Sequence, residues 1–127
     1  MVAEFRRDTD EIIAVNPVSI SFVRILREKD SYGNERVIGK VTVDPQDVRI
    51  AEISHNESER LMEQGVLPVH VVNITAKYDA DIIAGDRFAY MGSNYEIVFI
   101  RPITYGGQDE EHTYKKSGKA RAISEEL

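Results

Sequence analysis

The 127-residue sequence contains no cysteine. That removes a disulfide framework, a thiolate metal site and a cysteine nucleophile together. Histidine is scarce as well: His55, His70 and His112 are far apart, with no two at the close spacing that puts a pair of metal ligands on one face. No apolar run approaches the roughly 18 residues that would span a bilayer. Residues 1–11 mix Arg6 and Arg7 with Glu4, Asp8 and Asp10 and lack the apolar core of a signal peptide, so synthesis in the cytosol is the expectation. Positive charge is also short. Sixteen Lys and Arg against 22 Asp and Glu leave a net charge of −6, and long-range attraction to free nucleic acid is not expected.

Motifs for catalysis are equally thin. Ser19, Ser21 and Ser54 have no Gly-x-Ser-x-Gly context. Gly33, Gly39, Gly85 and Gly92 fall singly at turns, so no phosphate-cradling loop is present. Asp79, Asp81 and Asp86 resemble a fragment of a calcium loop, but the remaining acidic positions and the bidentate glutamate are missing. The sequence predicts no enzyme, no cofactor and no metal.

What is present is a succession of short β patterns. Hydrophobic residues are 42% and charged residues 30% of the chain, the balance of an ordinary single globular domain. Val18, Ile20 and Phe22 alternate with Ser19 and Ser21 in a first strand over 18–27. Turn-forming residues at 29–34 and a β-rich run at 36–43 complete a hairpin. After Asp44-Pro45 a third strand covers 48–53, and β-branched residues predict a fourth at 69–76. Two further strands flank a Gly92-Ser93-Asn94 turn, with Phe88 and Tyr90 alternating on one, and Tyr95, Ile97 and Phe99 sharing a face of the other. Those aromatics are spaced for core packing. Arg24, Arg27, Arg36, Lys40 and Arg49 are expected on a solvated outer face that also guards against edge pairing.

The fold class expected is mainly β: a small β-barrel or sandwich of about six strands, with an inserted loop or short helix and flexible termini. Asn16-Pro17 would stop any helix in the leader. The organisation expected is a flexible N-terminal arm at 1–16, a barrel domain at 17–104 and a polar C-terminal tail at 105–127 that cannot build its own core. Residues 54–65 break the β rhythm and form the inserted loop, where Ser54 and Glu57 are spaced as a capping box and Gly65 could end a helix. No long apolar surface stripe is evident, which predicts a monomeric free subunit.

Gly85 and Asp86 before a strand that carries Phe88, then Gly92 at a tight turn, then Tyr95-Glu96-Ile97 ending near a proline, make a pattern that resembles small β-barrel neck proteins of tailed bacteriophages and prophages. The opening Asn16-Pro17-Val18-Ser19-Ile20 is similar to the first hairpin of those head-closure and head–tail joining proteins. The two regions cover roughly half of the chain. The resemblance implies a structural protein of the head–tail connector: a ring of identical subunits that closes the DNA-filled head and joins it to the tail. Its partners would be itself, portal or adaptor proteins and tail proteins. DNA would only pass through the channel, no membrane would be involved, and the protein would move from the host cytoplasm to the virion neck. A projecting loop would gate the channel, here Ser54, Glu57, Glu59, Arg60, Glu63 and Gly65. Two alternatives stay open: a tail completion or terminator protein of the same region, and a stand-alone ligand-binding barrel of the oligonucleotide- or oligosaccharide-binding kind using Arg24, Arg49, Tyr90 and Tyr95. A small metal-dependent hydrolase ranks last.

Overall fold

A computed structural model describes residues 1–15, 17–52, 59–60, 62–64 and 71–127. Among these residues, helix α1 (Val2–Val15) precedes eight strands: β1 (Val18–Ile20), β2 (Val23–Lys29), β3 (Glu35–Thr42), β4 (Gln46–Glu52), β5 (Val71–Lys77), β6 (Arg87–Tyr90), β7 (Ser93–Thr104) and β8 (Thr113–Ile123). They form one antiparallel sheet, curled into a half-barrel, in the order β1-β4-β5-β8-β7-β6-β2-β3. The mainly β, barrel-like fold expected from the sequence is the fold found.

The strand number exceeds six because the strand expected over 18–27 is broken into β1 and β2 and because the expected tail holds β8. Only Ser21 and Phe22 separate β1 from β2, and only Val43, Asp44 and Pro45 separate β3 from β4. Pro45 has no N–H to give to a ladder, so the long strand breaks there, yet Val43 N–H still donates to Phe22 C=O at 2.8 Å across the break. The pairs β1–β4 and β2–β3, at the two ends of the sheet, are therefore halves of one bent hairpin, and a single residue pair, Val23 with Arg87, joins β2 to β6.

Alternation sends Val48, Ile50, Val72, Ile74 and Ala76 inward, where they meet Phe22, Phe88, Tyr95, Ile97 and Ala120 in one core. Phe22 and Phe88 are edge to face at 5.3 Å, and Phe88 stacks on Tyr95 at 5.4 Å. Fully burying side chains of this size stabilises the fold by about 1.5–3 kcal/mol each.

Three expectations need correction. The leader is no loose arm. Phe5, Thr9 and Ile13 fall at a helical spacing of four; Thr9 and Ile13 are buried, Phe5 packs on Tyr105 and Tyr114 at about 5 Å, and Arg6 lies 3.6 Å over the Tyr78 ring. The helix covers the outer side of β4, β5 and β8, ending at Val15 ahead of Pro17 as the proline requires. The tail is no tail either: Thr113–Ile123 is strand β8, lying between β5 and β7 in the sheet. Finally, Phe99 does not share the face of Tyr95 and Ile97. A register shift between Ile97 and Phe99 turns it outward, leaving it 40% exposed against 1% for Ile97.

That bulge explains a glycine. A Cβ on Gly118 would lie 2.2 Å from the Phe99 carbonyl oxygen, so only glycine lets β8 run beside the bulged strand. The β6–β7 turn is made by Met91 and Gly92, at φ 50° and 80°, rather than by Gly-Ser-Asn; Ser93 and Asn94 already belong to β7. Among the described residues, no helix is long and apolar enough to cross a membrane.

Candidate interaction surface

The six residues that carry the resemblance come together in the β6–β7 hairpin. Gly85, at φ 91°, donates its N–H to Ile97 C=O at 2.8 Å, and Ile97 N–H returns a bond to Asp86 C=O at 2.8 Å. Phe88, Tyr95 and Ile97 are core residues, and Gly92 is the turn. Their work in this chain is structural: they fix how β6 enters the sheet.

Asp86 is the centre of that arrangement. It is 1% exposed, and its carboxylate accepts Arg24 Nε at 3.0 Å, Arg24 Nη2 at 2.9 Å and the Ile83 N–H at 3.0 Å. Arg24 Nη2 also reaches Asp81 at 3.0 Å. The hydrogen bond to Asp86 raises the guanidinium pKa above its ordinary value, in spite of the opposing effect of burial. Asp81 and Asp86 are thus the two carboxylates of an arginine clamp, while Asp79 lies in a separate groove with Tyr78. No group of three metal-ligating side chains occurs among the described residues.

The residues considered for a ligand-binding barrel are not gathered. Arg24 is engaged by the clamp, Tyr95 is 8% exposed within the core beside Tyr90, and Arg49 faces α1 across a cleft shared with Thr9 and Ile12. Of the proposed gating loop, Glu59, Arg60 and Glu63 are helical and exposed, with Gln64 N–H donating to Arg60 C=O at 3.2 Å. Ser54, Glu57 and Gly65 lie outside the described residues, as do His55 and His70. His112 bonds through Nδ1 to Asp109 in the loop between β7 and β8, which holds the Asp109 carboxyl below its ordinary value.

The least satisfied surface is the β2–β3 hairpin, which sequence reasoning treated as a solvated ribbon. Residues opposed in register share a face. Phe22 and Val43 point into the core, and the same face continues through Arg24 and Val41 to Leu26 and Gly39. Among the described residues β6 pairs with β2 only at Val23, and Leu26 and Val41 remain 42% and 44% exposed. Val37 and Ile38, at the register shift, are more than half exposed, and so is Tyr32 at the tip. A clue was present in the sequence: Val37-Ile38 places two apolar residues side by side where a one-faced strand would alternate.

Charge distinguishes the hairpin further. Residues 23–42 hold five Lys or Arg and three Asp or Glu, a net +2, whereas the whole chain is −6 and the remainder therefore −8. At the far ends of β5 and β7, Tyr78, Asp79, Pro102, Asp109 and Glu110 line an open groove of about 390 Å³ with Lys116, whose Nζ donates to Ala80 C=O at 2.7 Å.

No protein-family model matches this chain, and no curated protein matches it. Among solved structures, it is similar to the solution structure of protein SF1141 from Shigella flexneri 2a, at 16% identity and a TM-score of 0.53, over 87% of this chain and 96% of that one. The likeness is one of fold.

Proposed function

We propose that this chain is a structural subunit of the head–tail connector of a tailed bacteriophage or prophage, acting as one member of a ring that closes the filled head and joins it to the tail. The observation that carries the assembly reading is the β2–β3 hairpin, whose inward face runs on as exposed Leu26 and Val41 beyond the Val23 pair that joins β2 to β6. Apolar residues contiguous on a projecting element mark an interaction surface. The connector setting is supported by the sequence pattern through Gly85, Asp86, Phe88, Gly92, Tyr95 and Ile97. In this role no bond is made or broken. Subunits pack around an axis, portal or adaptor proteins lie on one side and tail proteins on the other, and the assembled ring passes from the host cytoplasm into the virion neck.

The experiment is native mass measurement of the chain mixed with candidate portal–adaptor complexes. Stoichiometric addition of a ring of this chain supports the connector role. Addition to tail-tube protein instead makes it a tail terminator, and indifference to both returns the barrel to a ligand-binding reading.

A further inference from the structure

We infer that a second copy of this chain covers the β2–β3 hairpin, and that it does so with its acidic groove between Tyr78 and Glu110. The pairing rests on the assembly reading above and supplies the two unlike faces that such a ring needs. Three observations lead to it.

The first is charge. With Arg24 neutralised by Asp86, the hairpin keeps Arg27, Lys29, Arg36 and Lys40 against Glu28, Asp30 and Glu35, a net +1 in a chain of net −6, with Arg27 and Lys40 exposed and Arg36 3.6 Å from Glu28. The groove presents Asp79, Asp109 and Glu110 beside two cations that are already engaged, Lys116 with Ala80 C=O and Arg6 with the Tyr78 ring and the Thr113 and Glu110 carbonyls. The hairpin thus meets its complement on its own kind.

The second is apolar character on both sides. Leu26, Val37, Ile38 and Val41 are exposed on the hairpin; Pro102, exposed, and the half-buried Tyr78 line the groove. Charge steers such contacts, and burial of the apolar residues supplies the larger part of the affinity.

The third is level. Strands β2 and β7 both run antiparallel to β6, so the β2–β3 turn and the β7–β8 loop project from the same end of the sheet. Rotation about an axis along that direction brings the hairpin of one subunit beside the groove of the next without changing its height. The contact is heterologous, hairpin to groove, and a heterologous contact repeated by pure rotation about one axis closes into a ring when the rotation divides the full turn. Addition of a backbone strand to β3 is disfavoured, since its register shift at Ile38 and the charge of Lys40 are both edge-blocking devices. Side chains make the contact.

The absence of cysteine makes the test clean. One preparation carries Val37→Cys and another Gln108→Cys, both at exposed positions, and the two are mixed at high protein concentration with a bismaleimide. Cross-linked dimers containing one chain of each kind are expected, well above those formed by either variant alone or by Val37→Cys mixed with Glu126→Cys. In sedimentation of the unlinked protein, Lys40→Glu should weaken self-association about tenfold, the factor represented by ~1.4 kcal/mol, and Glu110→Lys in the same chain should restore it. Rescue of this kind excludes a simple folding defect. Equal yields in all mixtures, a preference for Val37→Cys with itself, or failure of the charge exchange to restore association each overturn the inference. Cross-linking in the pattern expected, with no binding to portal–adaptor complexes, keeps this contact and removes the phage setting; the converse result does the opposite.

Discussion

Arg24 and Asp86, 62 positions apart in sequence, are joined by two parallel hydrogen bonds, Nε to Oδ1 at 3.0 Å and Nη2 to Oδ2 at 2.9 Å. The clamp ties β2 to the turn that launches β6, where the sheet has only the Val23–Arg87 pair to hold those strands together. Removal of the arginine leaves a carboxylate 1% exposed without its counter-charge. Arg24→Met should therefore cost about 3–5 kcal/mol, as breaking a buried pair does. The double variant Arg24→Met with Asp86→Leu should be less destabilised than Arg24→Met alone. Urea unfolding of the four proteins in the cycle measures both, and an additive cycle would show that the clamp contributes nothing as a unit.

Glycine at 118 is required by the neighbouring strand rather than by its own backbone. Its added Cβ would meet Phe99 O at 2.2 Å and Ile100 Cα at 2.9 Å, and backbone atoms cannot swing aside. Gly118→Ala should lower stability by about 1–3 kcal/mol or more. Gly39, opposite Leu26, has open space around its Cβ position. Gly39→Ala should then be tolerated within roughly 0.5 kcal/mol, the range of an ordinary surface change. Thermal melts of the two variants side by side decide the matter.

Seven of the eight strands were legible because their residues alternate or are β-branched, as in Val71–Lys77 and in Tyr95 to Ile97. Strand β8 was not, and the reason lies in its neighbours. Lys115, Lys116 and Lys119 give it a polar appearance, yet Lys116 bonds Ala80 C=O and Lys119 Nζ bonds Asn73 at 2.6 Å. Its inward positions are the small Gly118 and Ala120, sized for a crossing under the β7 bulge. Small residues carry little hydrophobic signal even when buried. The bulge itself, an insertion of one residue, leaves no mark in an alternating pattern, so Phe99 read as core. Of the candidate surface, the basic residues were visible in sequence; that their hairpin outruns the sheet depends on β6 being only four residues long, which tertiary pairing decides.

Met91 adopts φ 50° beside Gly92 at φ 80°, the two-residue turn that favours Asn-Gly. A methionine side chain, 83% exposed, gains no packing there to offset the backbone cost. Met91→Asn should stabilise the protein by about 0.5 kcal/mol, since asparagine enters the left-handed region more readily. A midpoint of chemical unfolding that shifts downwards would contradict this account of the turn.

The Asp109 carboxyl lies below its ordinary value of 3.8, chiefly through the hydrogen bond to His112, with the His112 backbone N–H adding to it. A carboxylate whose pKa falls on folding gives stability that is complete above its unfolded value and is lost as pH drops through the lower folded value. The β7–β8 loop should accordingly hold its conformation down to pH 3.8 and loosen below it. Side-chain carbonyl shifts of Asp109, followed by NMR from pH 6 to about pH 2, should titrate below 3.8. Asp109→Asn should remove the transition from the His112 resonances.

Whether α1 is part of the folded unit is decided by what it buries. Ile13 is 2% exposed although it belongs to a helix laid on the outside of the sheet, and Arg6 hydrogen-bonds Thr113 C=O at 2.9 Å, pinning the helix to the start of β8. A frayed leader would lose nothing on truncation of such a side chain. A docked helix loses the transfer free energy of Ile13 and gains a cavity where that side chain was buried, so Ile13→Ala should cost about 2–4 kcal/mol. Val15, the last residue of the helix and 80% exposed, serves as the control, and Val15→Ala should change stability by less than about 0.5 kcal/mol. Amide exchange gives a second readout. Ile13→Ala should speed exchange along α1 and along the strands it covers, because the outer face of β4, β5 and β8 loses its shield when the helix lifts. Acceleration confined to α1 would mean that the sheet is stable without it, and that the helix is an accessory to the barrel rather than a layer of it.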